Sequence, residues 1–351
     1  MPEVVSFTAP YDVSLVDCDP QPLVPGSVRV RTWFSGVSAG TELTAYRGSN
    51  PYLNRTWDAA RRLFVEGAPT LSYPVQGLGY SEVGQVVEAA DDVAGPAVGD
   101  VVHGIWGHRS EAVVPAAALA DRLWTGQDPL SGTFARVGAI ALNALLAADV
   151  RIGDRVAVFG QGVIGLLATR LAVLAGAEVV AVDAIEPRLD VARAMGASHV
   201  VLANTLGGAG AAVRAWAGGG GVDCAIELSG NDGALHEAVR SVVVDGTVAA
   251  SGFYQGGATH LRLGEEFHHN RVRIVASQIS GTPVSLGPRW DRSRLVRTFM
   301  GQVRQGRVDV RSLVTDVVDA ADVGEVFERL DRGDPAILQA VLRFPAAPKV
   351  R

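Results

Sequence analysis

The sequence predicts an α/β protein in which a doubly wound parallel sheet is joined to a second, β-rich part. Three observations lead to this prediction. A glycine-rich turn at residues 160–165 separates an apolar run from a helix-like run, strand-like and helix-like segments alternate from residue 134 onward, and short strand-like segments with Gly/Pro turns precede residue 120. The 351 residues are enough for two domains.

The glycine-rich turn has the spacing G-x-G-x-x-G, formed by Gly160, Gly162 and Gly165. The first glycine permits the tight turn, the second lets the backbone approach a pyrophosphate, and the third lets the helix lie close to the strand. A second strand-like run ends at Asp183, about 20 residues further on, where a carboxylate can accept hydrogen bonds from a ribose diol. The pattern predicts a Rossmann-type dinucleotide site; a structural turn without a cofactor is the alternative.

Composition and charge narrow the classes of function. Hydrophobic residues make up 48% and charged residues 19%, as in ordinary globular proteins. A net charge of −6 and the lack of a Lys/Arg cluster disfavour nucleic acid or a membrane surface as a partner. The two cysteines, Cys18 and Cys224, can form neither a disulfide scaffold nor a four-thiolate zinc site, which favours the cytoplasm. No signal-peptide pattern begins at Met1, and no apolar run reaches about 18 residues, so we expect no membrane span.

The segments before residue 120 are expected to form a small barrel or sandwich. Residues 56–64 are the exception, because their apolar spacing predicts an inserted helix, and long insertions often cover a site. The predicted strands are residues 27–33, 80–88, 99–102 and 110–115.

From residue 134 onward, alternation implies parallel strands with helices between them. The predicted helices are residues 137–148, 166–172, 188–195, 209–216 and 234–243, followed in the tail by 293–303 and 323–330. The predicted strands are residues 156–159, 179–182, 199–202, 224–228, 247–250 and 273–277, with a final strand at 337–343.

Four segments together resemble the medium-chain dehydrogenase/reductase family over nearly the whole chain: residues 35–42, 79–87 and 98–102, and the glycine turn. The resemblance implies a GroES-like β-barrel catalytic domain at 1–133, a Rossmann domain at 134–281 and a return segment at 282–351. It also implies an active site in the cleft between the domains, a small-molecule substrate, and a homodimer formed through the edge of the dinucleotide sheet.

The sequence departs from the zinc-dependent members of that family at the metal-ligand positions. Where those members carry a cysteine, a histidine–glutamate pair and a third ligand, this chain has Ser38, Tyr80 with Ser81, and residues 135–136. The four cysteines of the family's structural zinc lobe are also absent. Because zinc needs thiolate, imidazole or carboxylate donors, we predict a zinc-free member. A rebuilt site is the alternative, with ligands from His103, His108, Glu42 or Asp100.

Without a metal, another group must polarise a carbonyl or accept an alcohol proton. Thr41 resembles the family hydroxyl that passes the substrate proton to the cofactor ribose, and the phenol of Tyr80 can donate to a developing alkoxide. Ser38 and Glu42 are the remaining catalytic candidates. Structural roles stay open for all four: a turn residue at Thr41, cavity filling by Tyr80, loop support by Glu42 and steric replacement by Ser38.

Coenzyme contacts follow from the same resemblance. Ile164, next to Val163, is expected to pack against the nicotinamide. Asp183 should repel a 2′-phosphate, which favours NAD over NADP. Arg188 can reach the adenosine ribose or neutralise a 2′-phosphate, so NADP stays open, as does a solvated helix face for Arg188. The other nicotinamide edges are expected to be lined by Ser229, Gly230, Gly252 and Phe253.

The sequence therefore predicts an NAD(P)-dependent alcohol dehydrogenase or ketone reductase without zinc. A polar secondary alcohol, such as a cyclitol, a sugar or a secondary-metabolite intermediate, is the expected substrate. A quinone or enoyl reductase is one alternative, and a non-catalytic dinucleotide-binding protein is another. Further candidates for substrate contact, or parts of a plain linker, are His268, His269, Arg289 and Trp290.

Overall fold

The structure is a computed structural model that describes residues 1–126 and 128–348. It contains two compact units, one formed by Met1–Arg136 with the segment that starts at Asp309, the other by Val137–Val308. The return to the first unit thus begins at Asp309, not at the predicted residue 282. The reason is that Phe299 packs against Gly138 within the second unit, which keeps the helix of residues 292–304 there.

The predicted α/β class is confirmed by the order of strands and helices. The strands are β1 (Glu3–Ala9), β2 (Asp12–Asp17), β3 (Ser27–Gly36), β4 (Thr56–Asp58), β5 (Leu63–Val65), β6 (Val75–Gln76), β7 (Glu82–Ala89), β8 (Val101–Gly104), β9 (Glu111–Pro115), β10 (Arg155–Phe159), β11 (Glu178–Asp183), β12 (His199–Leu202), β13 (Val222–Glu227), β14 (Val242–Ala250), β15 (Arg273–Ala276), β16 (Val314–Asp319) and β17 (Gln339–Arg343). The helices are α1 (Ala39–Tyr46), α2 (Ala135–Ala147), α3 (Val163–Leu174), α4 (Glu186–Ala194), α5 (Ala209–Trp216), α6 (Asp232–Ser241), α7 (Arg292–Arg304) and α8 (Val323–Asp331).

The first unit is built mainly from two sheets. One has the order β16-β17-β3-β7-β8, with β9 also paired to β3, and the other has the order β2-β1-β6. The chain's tail contributes α8, whose Phe327 meets Phe7 of β1 edge to face, with ring centroids 5.1 Å apart. Strands β3 and β7 can approach closely because Gly84 has no side chain. A Cβ at this position would lie 2.3 Å from the Arg31 carbonyl oxygen.

The insertion at residues 56–64 is a β-hairpin, so the prediction of a helix there was wrong. Strands β4 and β5 pair antiparallel and place Trp57 opposite Phe64, with ring centroids 4.9 Å apart. Such cross-strand aromatic pairs stabilise a hairpin. The side chain of Asp58 accepts a hydrogen bond from the Arg61 N–H at 2.9 Å, which favours a turn over a continuing helix.

The second unit contains a six-stranded, wholly parallel sheet with the order β12-β11-β10-β13-β14-β15. The strand order reverses between β10 and β13, and ligands of doubly wound sheets bind at the carboxyl ends of the strands at such a point. The middle strands β10, β11 and β13 are buried at all but one residue each, as expected for strands covered by helices on both faces.

The stretch Pro129–Ala147 is 19 residues long with a hydropathy of 1.4, so the prediction that no apolar run reaches membrane-span length was wrong. This stretch contains α2, and 78% of it is buried inside the protein. A mostly buried apolar helix is also what the core of a globular protein contains, so its length and hydropathy do not indicate a membrane span.

Candidate functional site

The glycine turn between β10 and α3 has the geometry that each glycine was predicted to provide. Gly160 has a φ of +86°, which favours glycine. A Cβ at Gly165 would lie 1.7 Å from the Gly160 carbonyl oxygen, so only glycine lets the helix start this close to the turn. A Cβ at Gly162 would meet nothing within 4 Å, which leaves the backbone there open to an incoming group. Val163 and Ile164 follow, both half-buried, at the N-terminus of α3.

Asp183 lies at the carboxyl end of β11 and is tied to the turn. Its Oδ2 accepts a hydrogen bond from the Gln161 N–H, and its Oδ1 accepts one from the Ile185 N–H at 2.8 Å. The buried side chain of Gln161 donates to the Val158 carbonyl oxygen at 2.8 Å and accepts from the Thr169 hydroxyl at 3.0 Å. The turn is therefore held from both sides without help from a ligand.

Arg188 lies in the first turn of α4, two residues after its first helical residue. Its Nε is buried and has no hydrogen-bond partner in the described part of the chain. Buried N–H groups are nearly always paired in folded proteins. This donor, on the element that follows Asp183, is therefore available to an acceptor on a ligand.

Glu227 was not predicted from the sequence, although it closes β13 at the strand end where sites of this fold gather. This buried carboxylate accepts hydrogen bonds from the N–H and hydroxyl of Ser229, from the Gly230 N–H and from the Tyr254 hydroxyl. Burial raises the pKa of Glu227, against the effect of these hydrogen bonds. The network fixes the loop after β13 against the segment after β14.

The predicted nicotinamide residues of those two segments are in contact with each other and with the turn. A Cβ at Gly160 would lie 2.7 Å from the Ser229 nitrogen, and one at Gly252 would lie 2.3 Å from the Gly230 nitrogen. Phe253, next to Gly252, is 40% exposed. The structure thus brings the predicted coenzyme residues of the second unit together at the carboxyl ends of its parallel strands.

In the first unit, three predicted catalytic hydroxyls converge. The Tyr80 phenol and the Ser38 hydroxyl form a short hydrogen bond, and Thr41 also hydrogen-bonds to Tyr80. Ser38 caps α1, Thr41 lies in the first turn of that helix, and Tyr80 lies just before β7. Burial raises the pKa of the Tyr80 phenol, and the hydrogen bonds and the positive charge of Arg136 oppose this only in part. Tyr80 therefore keeps its proton at neutral pH and can donate it.

The fourth predicted catalytic residue, Glu42, faces His108 in a buried cluster. Glu42 Oε2 lies 2.9 Å from His108 Nε2, and His108 Nδ1 lies 2.6 Å from the hydroxyl of Ser35. Because Ser35 donates its one hydroxyl proton to Glu82 at 3.0 Å, it accepts from His108, so both imidazole nitrogens act as donors. That pattern requires a charged histidine. Glu42 therefore supports the loop, and its effect on Tyr80 is through its charge.

The residues at the family's catalytic zinc positions do not fit a zinc ion. Ser38 and Tyr80 offer neutral hydroxyls bonded to each other, and Arg136 offers a guanidinium with no lone pair and a positive charge. The side chains of the alternative, rebuilt site are not gathered at one point. Within residues 1–126 and 128–348, no three metal-binding side chains from the set His103, His108, Glu42 and Asp100 converge on one point.

The further candidates for substrate contact lie in the second unit. His268 and His269 are exposed neighbours whose rings meet edge to face, 5.4 Å apart. Trp290 lies under the guanidinium of Arg294, 4.4 Å from it. The role of these residues as substrate contacts stays a prediction.

The chain is similar to known dehydrogenases in sequence and in fold. Residues 163–287 match the family described as "Zinc-binding dehydrogenase". The chain is 32% identical to D-guloside 3-dehydrogenase of Escherichia coli (strain K12) over 329 residues, 91% of this chain and 93% of that enzyme. The structure resembles 2R,3R-butanediol dehydrogenase from Bacillus subtilis, with a TM-score of 0.78, 21% identity and 98% and 99% of the two chains covered. It also resembles a dehydrogenase of Sinorhizobium meliloti 1021 bound to NADP, with a TM-score of 0.76, 22% identity and 98% and 99% covered.

Proposed function

Because the chain belongs to the medium-chain family of zinc-type alcohol dehydrogenases and is an NAD(P)-dependent enzyme of that kind, we propose that it interconverts a secondary alcohol and a ketone on a sugar-like substrate without a catalytic zinc. One observation carries this proposal. At the positions where zinc-dependent members of the family hold the metal, this chain has the hydrogen-bonded hydroxyls of Ser38 and Tyr80, and the positive charge of Arg136 acts on the phenol.

In this proposal the nicotinamide supplies the hydride chemistry, and the chain supplies placement and electrostatics. The residues that would hold it are the glycine turn, Asp183 and Arg188, with Ile164 and Phe253 beside the ring. In the reduction direction Tyr80 donates its proton to the carbonyl oxygen, and its bonds to Ser38 and Thr41 orient the phenol. Arg136 stabilises the negative charge that develops there, as a metal would elsewhere in the family.

A sugar-like substrate is supported by the relationship to D-guloside 3-dehydrogenase, which extends over 91% of this chain. We assign this chain the same class, a hydroxyl group on a pyranoside or related polyol. The name of that enzyme describes dehydrogenation at position 3 of a guloside. Oxidation of a secondary alcohol needs a hydride acceptor and a proton acceptor, and the reverse reduction needs a hydride donor and a proton donor.

NAD is the proposed coenzyme, since a carboxylate at Asp183 repels the 2′-phosphate of NADP. The unpartnered Nε of Arg188 favours the opposite choice, because a guanidinium can bind that phosphate. A relative in fold was solved with NADP. We give the effect of Asp183 more weight than that of Arg188, because the Asp183 carboxylate is hydrogen-bonded to the glycine turn itself.

A homodimer formed through β15 is part of the proposal. This strand ends the second unit's sheet, and its burial pattern leaves three of its four residues exposed. An exposed edge strand can pair with a second copy. Light scattering of the purified chain should give twice the monomer mass of 36.7 kDa, and a Val275→Pro change in this edge should convert the dimer to a monomer.

The decisive experiment measures turnover with NAD and a panel of glycosides and polyols, before and after extensive treatment with a metal chelator. We expect NAD-dependent oxidation of at least one glycoside and an unchanged rate after chelation. A rate that is lost on chelation and restored by added Zn²⁺ would show that the enzyme uses catalytic zinc. No turnover on any alcohol or ketone, despite coenzyme binding, would favour the non-catalytic alternative.

A further inference from the structure

A second cluster of titratable side chains lies in the second unit, away from the residues assigned to the coenzyme. His236, Glu265 and Glu266 each offer a donor atom, and these atoms lie within 4.8 Å of one another. His236 projects from α6, and the two glutamates belong to a short π-helical turn, Leu263–Phe267. Two separate elements therefore bring one imidazole and two carboxylates to a single point.

The arginines near this point leave one oxygen of each carboxylate unused. Glu265 Oε1 lies 3.4 Å from Arg262, and Glu266 Oε1 lies 3.4 Å from Arg240. The other oxygens face the cluster. Glu265 Oε2 lies 3.9 Å from His236 Nε2, too far for a hydrogen bond, and Glu266 Oε2 is buried without a partner in the described residues.

His236 gives an independent sign that a ligand is missing. The residue is only 9% exposed, and its Nδ1 is buried with no hydrogen-bond partner among residues 1–126 and 128–348. Its Nε2 has no nearer acidic atom than the carboxylate oxygen 3.9 Å away. Leaving Nδ1 buried without a partner is costly, and an ion bound at that nitrogen would offset the cost.

We propose that His236, Glu265 and Glu266 form a binding site for a divalent first-row transition ion, with Zn²⁺ as the reference ion. One neutral imidazole and two carboxylate oxygens are donors that Zn²⁺ accepts in a tetrahedral set. Mg²⁺ and Ca²⁺ prefer sites made of oxygen alone. A cavity of about 560 Å³ adjoins the three residues and leaves room for a further ligand on the ion.

The charges around the cluster are consistent with one bound cation. Arg240 is held mainly by Glu237, at 2.8 Å, and His260 is held by Asp232 at 3.0 Å. Arg240 and Arg262 balance only part of the negative charge of Glu237, Glu265 and Glu266. The site is separate from the proposed hydride transfer, since none of its three ligands belongs to the glycine turn or to the Tyr80 group.

The test is calorimetric titration of Zn²⁺ into full-length, metal-stripped protein. We expect one site per chain, and at least about tenfold weaker binding in His236→Gln and in Glu266→Gln, since loss of even supporting groups costs that much. The matched control is His260→Gln, an exposed histidine that lines the same cavity. It should bind Zn²⁺ as the unchanged protein does.

A second readout is the thermal stability of the protein, which is measured without the heat of binding. Because binding to the native state stabilises it, added Zn²⁺ should raise the melting temperature of the unchanged protein and of His260→Gln but not of His236→Gln. Equal NADH binding by all variants shows that they are folded. Zn²⁺ binding that is unaffected by both ligand changes, or no binding of Zn²⁺ or Co²⁺, would overturn the proposal whether or not the enzyme turns over.

Discussion

The coenzyme turn and the Tyr80 group differ in how their parts are connected along the chain. Gly160, Gly162 and Gly165 lie within six residues and act through the backbone, so the contacts that define the turn are local. Tyr80 meets Ser38 across 42 positions, and Glu42, whose charge acts on the phenol, pairs with His108 across 66 positions. A local backbone motif tolerates almost no side-chain variation, whereas a site of distant side chains can change its chemistry while the fold persists.

The sharpest test of the coenzyme turn compares two of its glycines, three positions apart. Gly165→Ala should abolish coenzyme binding and destabilise the second unit by more than about 3 kcal/mol, since backbone must move to admit the Cβ. Gly162→Ala has open space for its Cβ, so it should fold normally and lose coenzyme affinity only. Thermal melts and NADH titration separate the two. Equal melting temperatures for both variants would contradict the steric interpretation.

The Tyr80 group is tested by removing the phenol oxygen of Tyr80. Tyr80→Phe should lower the turnover number by about 10²- to 10⁴-fold, the usual contribution of a positioned proton donor, with NADH affinity unchanged. Tyr11→Phe, which removes an exposed phenol of the same unit, is the control. Full turnover by the Tyr80→Phe enzyme would mean that the ring only fills the space that the metal occupies in zinc-dependent members of the family.

The stability supplied by the buried cluster of His108, Glu42 and Glu82 should depend on pH. Burial lowers the pKa of His108, but Glu42 and Glu82 together outweigh this and the net pKa is raised. The folded protein therefore holds this proton more tightly than the unfolded chain. The stabilisation is complete below about pH 6.5 and is lost as the pH rises through the folded pKa. Glu82, whose pKa burial raises, adds in the same direction.

His108→Ala should therefore lower the free energy of unfolding by about 3–5 kcal/mol at pH 6, because two carboxylates stay buried without their cation. The loss should shrink as the pH rises. Denaturant melts across pH 5.5–9 measure it, with His199→Ala, an exposed strand histidine, as the control. A loss that grows with pH would reverse the assigned charge of His108.

The smallest expected effect concerns coenzyme choice. Asp183→Asn removes the charge and keeps the shape of the side chain, with one oxygen left to accept from either the Gln161 or the Ile185 N–H. We expect the ratio of NADPH to NADH affinity to rise by about tenfold, which corresponds to about 1.4 kcal/mol. Asp190→Asn on the exposed side of α4 is the control. An unchanged ratio would shift the selection of coenzyme to Arg188.

The same contrast explains what the sequence could and could not predict. The bounds of β12 and α5 match the predicted residues 199–202 and 209–216, because hydrophobic periodicity is a local signal. The hairpin at residues 56–64 was missed because the seven-residue spacing of Trp57 and Phe64 matches a helix, whereas in the structure the two residues pair across a turn.

For the site, the glycines and Asp183 could be predicted because their spacing is the motif. Substitution at the metal positions could be predicted by comparison with the family's pattern. The Glu227 network and the charged state of His108 could not, since both arise from partners that only folding brings together. The spacing of residues along the sequence does not predict which carboxylate a buried histidine will face.

The double anchoring of Gln161, through its backbone to Asp183 and through its side chain to Val158 and Thr169, has a consequence for kinetics. A turn held by these hydrogen bonds loses little further conformational freedom when the coenzyme binds. Stopped-flow mixing with NADH should therefore give a single phase whose rate rises linearly with coenzyme concentration, with no slower rearrangement after the encounter.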